Sequence, residues 1–198
     1  MGPAPLEVLR VAARLVAESP GQDPRRALEK AARQVGQSLD RRFLAADLDR
    51  LEAETRQYQA TFRPGQREML RSLREAALEA MSFFERFRPR LVGEVLSGTA
   101  DEHSPIVLQL FAATPEDVID LLVTRDIPFE ESEATYHYGD GRSERCSVFE
   151  LGAQGQHFRL EVFAEDDIRE APLAPAGSGT IRRASARAVR ELVDMAGG

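Results

Sequence analysis

Hydrophobic positions recur with a helical period over residues 1–90 and largely with a period of two from there to residue 163. Leu6, Leu9, Val11, Ala12, Leu15 and Val16 predict a first helix, stopped at Ser19-Pro20-Gly21. Asp23-Pro24 supplies an N-cap followed by proline at the first helical position, and so predicts a second helix ending at Gly36. A third helix is predicted from Asp40 through Gln59, with Phe43, Leu44, Leu48, Leu51 and Tyr58 as its apolar residues and a break at Arg63-Pro64-Gly65. The fourth and longest, Gln66 to Phe87, carries Met69, Leu70, Leu73, Ala77, Ala80, Phe83, Phe84 and Phe87. A lone helix keeps little stability in water, so this stripe and its aromatic cluster are expected in a core.

Beyond Pro89 the pattern changes. Arg90 to Leu96 and Pro105 to Phe111 read as two strands around a loop that holds Gly93, Gly98 and the polar stretch Thr99 to Ser104. Thr114-Pro115-Glu116-Asp117 starts a helix reaching Thr124, placed as the crossover of the sheet. Phe129 to Tyr138, Ser143 to Leu151 and Gln156 to Phe163 then form a meander, with turns at Gly139-Asp140-Gly141 and Gly152-Ala153-Gln154-Gly155. Residues 165–179 read as an extended loop, and Ser185 caps a last helix, Ala186 to Met195. The expected class is α+β: a helical region over 1–65, a core with a mixed sheet of about five strands over 66–164, and a loop plus helix over 165–198.

Composition narrows the classes. A hydrophobic content of 42% with 30% charged residues is that of a soluble globular chain, and no apolar run approaches the ~18 residues of a membrane span. The start, MGPAPLEVLR, has no basic region followed by an apolar core, and Leu6 stands where myristoylation wants Ser or Thr. The single Cys146 excludes an internal disulfide, fits a reducing cytoplasm, and is expected to be a buried, inert thiol. The net charge of −7 divides unevenly: residues 1–90 hold 17 basic and 13 acidic groups, residues 91–198 hold 9 and 20. The basic half makes Arg25, Arg26, Arg41 and Arg42 candidates for nucleic-acid contacts.

The loop between the first two strands resembles the signature of the nucleotidyltransferase superfamily, the DNA polymerase β-like fold. That pattern is a strand ending in Gly-Ser, a second Gly five residues after the first, then Ser-Asp-hydrophobic-Asp opening the next strand. Laid on this chain without a gap, the glycines fall on Gly93 and Gly98 and the later serine on Ser104. The hydroxyl residue after the first glycine becomes Glu94, the two aspartates become Pro105 and Val107, and Glu161 in FRLEVF matches the third family acid on a later strand. Asp-x-Asp on a strand sets two carboxylates side by side, where they hold the Mg²⁺ ions that clamp the attacking oxygen and the triphosphate. Pro105 and Val107 offer no side-chain oxygen, and Glu94 would repel a triphosphate. The resemblance covers residues 66–164 and implies a nucleotidyltransferase-like sheet with a degenerate site. The helical start joined to such a core also resembles a group of uncharacterised bacterial proteins, a likeness that brings no activity with it.

Three functions follow. The favoured one is a non-catalytic nucleotidyltransferase-fold protein serving as a binding or regulatory partner, with no cofactor and an unknown protein or RNA as partner. The second is an active nucleotidyltransferase with ligands relocated to Asp101, His103 and Glu161, which would use Mg²⁺ or Mn²⁺ or, through the imidazole, Zn²⁺. The third is a nucleic-acid-binding module on the Arg-rich helices. An exposed edge strand in the meander leaves pairing with a second copy open. P-loop, Gly-x-Ser-x-Gly and Cys–His arrangements have no support. Arg182-Arg183-Ala184-Ser185 has the form of a basophilic kinase site, with helix capping as its simpler role.

Overall fold

The computed structural model describes residues 2–19, 22–62, 65–174 and 179–196. Contacts divide the chain into two compact units, residues 1–68 with 174–180 and residues 69–173 with 181–198. The expected helix breaks at Pro20, Gly21, Arg63 and Pro64 lie outside the described residues. Among the described residues no helix is long and apolar enough to cross a membrane.

The first unit is helical: α1 (Leu6–Glu18), α2 (Pro24–Val35), a 3-10 turn (Arg41–Phe43) and α3 (Leu44–Phe62). Its core joins Val8, Leu9, Ala12 and Ala13 of α1 to Leu28, Ala31 and Ala32 of α2 and Leu48 and Leu51 of α3. The α2 boundaries are local. Asp23 accepts from the Arg26 N–H, Pro24 opens the helix, and Gly36 closes it at φ 72°. The third helix starts later than its sequence predicts because Asp40 caps the 3-10 turn rather than α3 itself.

The second unit contains α4 (Gln66–Phe83, from Met69 onward), a 3-10 turn (Glu85–Phe87), β1 (Arg90–Val92), α5 (Gly93–Ser97), β2 (Ile106–Ala112) and α6 (Glu116–Thr124). It continues with β3 (Glu130–His137), β4 (Ser143–Ala153), β5 (Gln156–Ala164), a 3-10 turn (Glu165–Arg169) and α7 (Ala186–Ala196). The α+β class and the five-stranded mixed sheet stand as expected. The order is β1-β2-β5-β4-β3, with β2 and β5 parallel and every other pair antiparallel. Thus α6 carries the chain from β2 to the far edge, and the meander returns to set β5 against β2.

Alternation divides the sheet residues between two faces. Leu108, Leu110, Leu160 and Val162 meet Leu73, Ala77, Met81 and Phe84 of α4, Val118 and Leu122 of α6, and Val189 of α7. On the other face Phe111, Cys146, Val148 and Phe163 form a smaller cluster with Ala134, Tyr136 and Ile168. The second hairpin closes through Gln154 (φ 52°) and Gly155 (φ 76°), both left-handed, as a two-residue turn requires.

Four expectations need correcting. The first strand does not run to Leu96: it spans three residues, and Gly93, at φ 74°, turns the chain into the five-residue α5. The long helix stops at Phe83, and the chain passes through a 3-10 turn and a left-handed Arg88 before Pro89. Phe83 is not core. It is 38% exposed, edge-on to Phe84 at 4.8 Å, with the Arg125 guanidinium 5.6 Å from its ring. Thr114 makes no side-chain cap to α6; instead Asp117 Oδ2 accepts from the Thr114 N–H and hydroxyl, at 3.1 and 3.4 Å.

Candidate functional site

The motif loop is held by its own polar groups. The Glu94 backbone carbonyl accepts from the N–H groups of Gly98 (2.8 Å), Thr99 (3.1 Å) and Ala100 (3.2 Å), which closes α5 at its C-terminal end. The Ser104 hydroxyl donates to Glu94 Oε2 at 2.5 Å and accepts from the Asp101 N–H at 3.0 Å. Asp101 Oδ1 in turn accepts from the His103 N–H at 2.9 Å. Glu94, Asp101 and Ser104 are therefore brought together, as a loop clasp. His103 is exposed, its ring 3.6 Å from the Glu102 carboxylate.

The strand positions that follow are apolar. Pro105 is half-buried just before β2, and Val107 lies on β2 between Val92 of β1 and Arg159 of β5. A Cβ placed on Gly93 would lie 3.6 Å from Val107 Cγ2. The missing side chain of Gly93 would thus point at a valine side chain.

No protein-family model, curated protein or solved structure matches the chain.

Glu161 sits one alternation further along the same sheet face, opposite Gln109 on β2 and Val148 on β4, and is 5% exposed. Both carboxylate oxygens are engaged: Oε2 accepts from Gln109 Nε2 and Oε1 from Arg159 Nε, each at 3.1 Å. Arg159 also donates to Glu150 at 2.9 Å. The Gln109 carbonyl accepts from Arg183 Nε at 2.6 Å, so Arg183 and Glu161 together fix the orientation of that amide. Arg183 Nη1 reaches the carbonyls of Asp167 (2.7 Å) and Glu170 (3.0 Å), and its guanidinium lies over Phe111 and Phe163 at 4.9 and 5.5 Å. Burial pulls the Arg183 pKa below its ordinary value. Burial, then the nearby Glu161 charge, pushes the Tyr136 hydroxyl well up. The Cys146 thiol is pushed up to about 12, first by burial and then by Glu161, which fits an inert group.

Asp101, His103 and Glu161 do not form a ligand set. Among the described residues no three His, Cys, Asp or Glu side chains are grouped to hold a metal ion. Asp101 closes its own turn while Glu161 is bound to Gln109 and Arg159. A cavity of about 340 Å³ in the helical unit is lined by residues that include Arg10, Arg14, Glu54 and Tyr58. Another of about 190 Å³, where β4 and β5 diverge, is lined by residues that include Glu144, Cys146, Phe163 and Asp167. Neither is lined by Glu94, Ser104, Val107 or Glu161.

In the helical unit, Arg25 pairs with Glu29 at 3.3 Å and Arg42 with Asp40 at 2.7 Å. Arg26 and Arg41 are exposed, with no side-chain partner among the described residues. The kinase-like stretch is held in place by its neighbours. Arg183 is held as above, Ala184 bridges to Leu91, and the Ser185 hydroxyl accepts from the Ala188 N–H at 3.4 Å.

Sequence reasoning missed Gln109, Arg159, Arg183 and Tyr136 as one network. The local signal was polar residues inside two largely apolar runs, Gln109 in IVLQLF and Arg159 and Glu161 in FRLEVF. Two such interruptions that face each other satisfy one another.

Proposed function

We propose that this chain is a non-catalytic protein of nucleotidyltransferase-like fold that works as a binding or regulatory partner. The observation that carries the reading is the Val107 side chain that faces Gly93. In the resemblance, that place on the second strand needs a metal-holding carboxylate; here it is a valine whose side chain faces Gly93. Three further features support it. Pro105 adds no oxygen, Glu94 is tied to Ser104 in the loop, and the third acid, Glu161, is neutralised by Arg159 and hydrogen-bonded to Gln109. The antiparallel β1–β2 pair joined through a glycine-started helix, with Glu161 on the strand next to β2, supports the fold assignment. Fold alone gives no activity, so the reading rests on the site.

The test is incubation of the purified protein with each labelled nucleoside triphosphate and Mg²⁺ or Mn²⁺, with RNA and protein acceptors present. The expected outcome is no transfer of a nucleotidyl group above a protein-free control. Metal-dependent labelling of any acceptor, lost in Glu161→Gln, would overturn the reading.

A further inference from the structure

Five cations of the helical unit are paired with a carboxylate next to where they stand. Arg25 pairs with Glu29, Arg42 with Asp40, Arg50 with Asp47, Arg56 with Glu52 and Arg10 with Glu54, all within 4.0 Å. Among the described residues Arg14, Arg26, Lys30, Arg33, Arg41 and Arg67 have no such partner, and three of these share one helix: Arg26, Lys30 and Arg33. Each is exposed, and none makes a side-chain hydrogen bond or ion pair among the described residues. Their spacing of four and then three residues puts them in one stripe along α2, about 6 Å and then about 4.5 Å apart along the axis. The opposite side of the helix is closed: Ala27, Leu28, Ala31 and Ala32 are buried in the helical core. Arg25, on the same helix, already has its carboxylate in Glu29.

The surroundings select the partner. The large hydrophobic side chains exposed among the described residues are Leu6, Phe83, Val123, Leu173 and Met195, none of them on α2. With its apolar side already buried, α2 has nothing to insert into a bilayer, as a membrane-surface helix must. It also has no aromatic ring on which a base could stack. What remains is a row of cations matched to a row of phosphates. We propose that α2 is a docking stripe for nucleic acid, in which Arg26, Lys30 and Arg33 contact the phosphodiester backbone without reading base sequence. The inference concerns the helical unit alone and stands or falls independently of what the sheet unit does.

The test is fluorescence anisotropy of the full chain, without metal or nucleotide, on labelled single-stranded RNA, single-stranded DNA and duplex DNA across a salt series. Polyglutamate and anionic phospholipid vesicles are parallel arms. Three phosphate contacts give a slope of log affinity against log salt of about −2.1 on single strands and about −2.7 on duplex. That is a loss of roughly 20- to 40-fold between 50 and 200 mM salt. The triple variant R26Q/K30Q/R33Q, shown to be folded by its circular dichroism and melting, is expected to abolish that slope. R25Q and R42Q are expected to keep it. No wild-type binding at low salt, or a triple variant with the wild-type slope, overturns the proposal. So does binding of polyglutamate or vesicles that equals that of nucleic acid.

Discussion

Glu161 is held by its neighbours in the sheet. It is a carboxylate on the expected strand, yet both oxygens are engaged by Gln109 and Arg159 inside the sheet face. Glu161→Gln removes the charge from these bonds, and hydrogen bonds to charged groups are worth about 1.5–3 kcal/mol each. The variant is therefore expected to lower stability by about that amount in urea titration; an unchanged midpoint would mean that the network is not structural. Cys146 gives a pH dependence with a definite sign. Its folded pKa of about 12 lies above the ordinary value of 9.0, so the folded state holds the proton that the unfolded state releases. This contribution is present in full below pH 9.0 and is lost as pH rises toward 12. The stability advantage of wild type over Cys146→Ala is expected to shrink over that window, and the thiol to react with a disulfide reagent only after urea is added. Reaction of the native protein at neutral pH would contradict its burial. The polar interruptions Gln109 and Glu161 were legible in the sequence. Their pairing was not, because it depends on a parallel register between strands 52 residues apart, and on an arginine 74 residues from Gln109.

Elements with boundary residues of their own were readable. Asp23-Pro24 and Gly36 bound α2, Ser185 precedes α7, and glycine-containing turns separate β3, β4 and β5. The stretch from Leu91 to Leu96 was not, since its apolar residues satisfy a strand or a helix over so short a run. The left-handed conformation of Gly93 decides it, ending β1 and starting α5. Gly93→Ala should then cost about 1–2 kcal/mol, the penalty of a side chain in that backbone region. The added methyl itself meets Val107 only at ordinary contact distance, 3.6 Å. Consequently Val107→Ala is not expected to rescue the variant in a double-mutant cycle. Full rescue would place the cost in packing and not in the backbone.

For the molecule as a whole, α+β class and a five-stranded mixed sheet followed from periodicity, whereas strand order did not. A helix after β2 could return the chain to a neighbouring position or carry it across the sheet, and α6 carries it to the far edge, where β3 pairs only with β4. That order sets β5 beside β2, and so puts Glu161 on the same face as Val107 while Gln109 and Arg159 bind its oxygens. The non-catalytic reading thus rests on the assembled sheet as much as on Pro105 and Val107. The most direct check is a thermal-shift series with each nucleoside triphosphate, with and without Mg²⁺ or Mn²⁺. A ligand at about 100 times its dissociation constant stabilises a fold by about 2.7 kcal/mol, or roughly 5–11 °C for a chain of this size. A melting temperature that no triphosphate raises in a metal-dependent way is the expected result. A metal-dependent rise of several degrees with any one nucleotide, abolished in Glu161→Gln, would show a functional nucleotide site and contradict the non-catalytic reading.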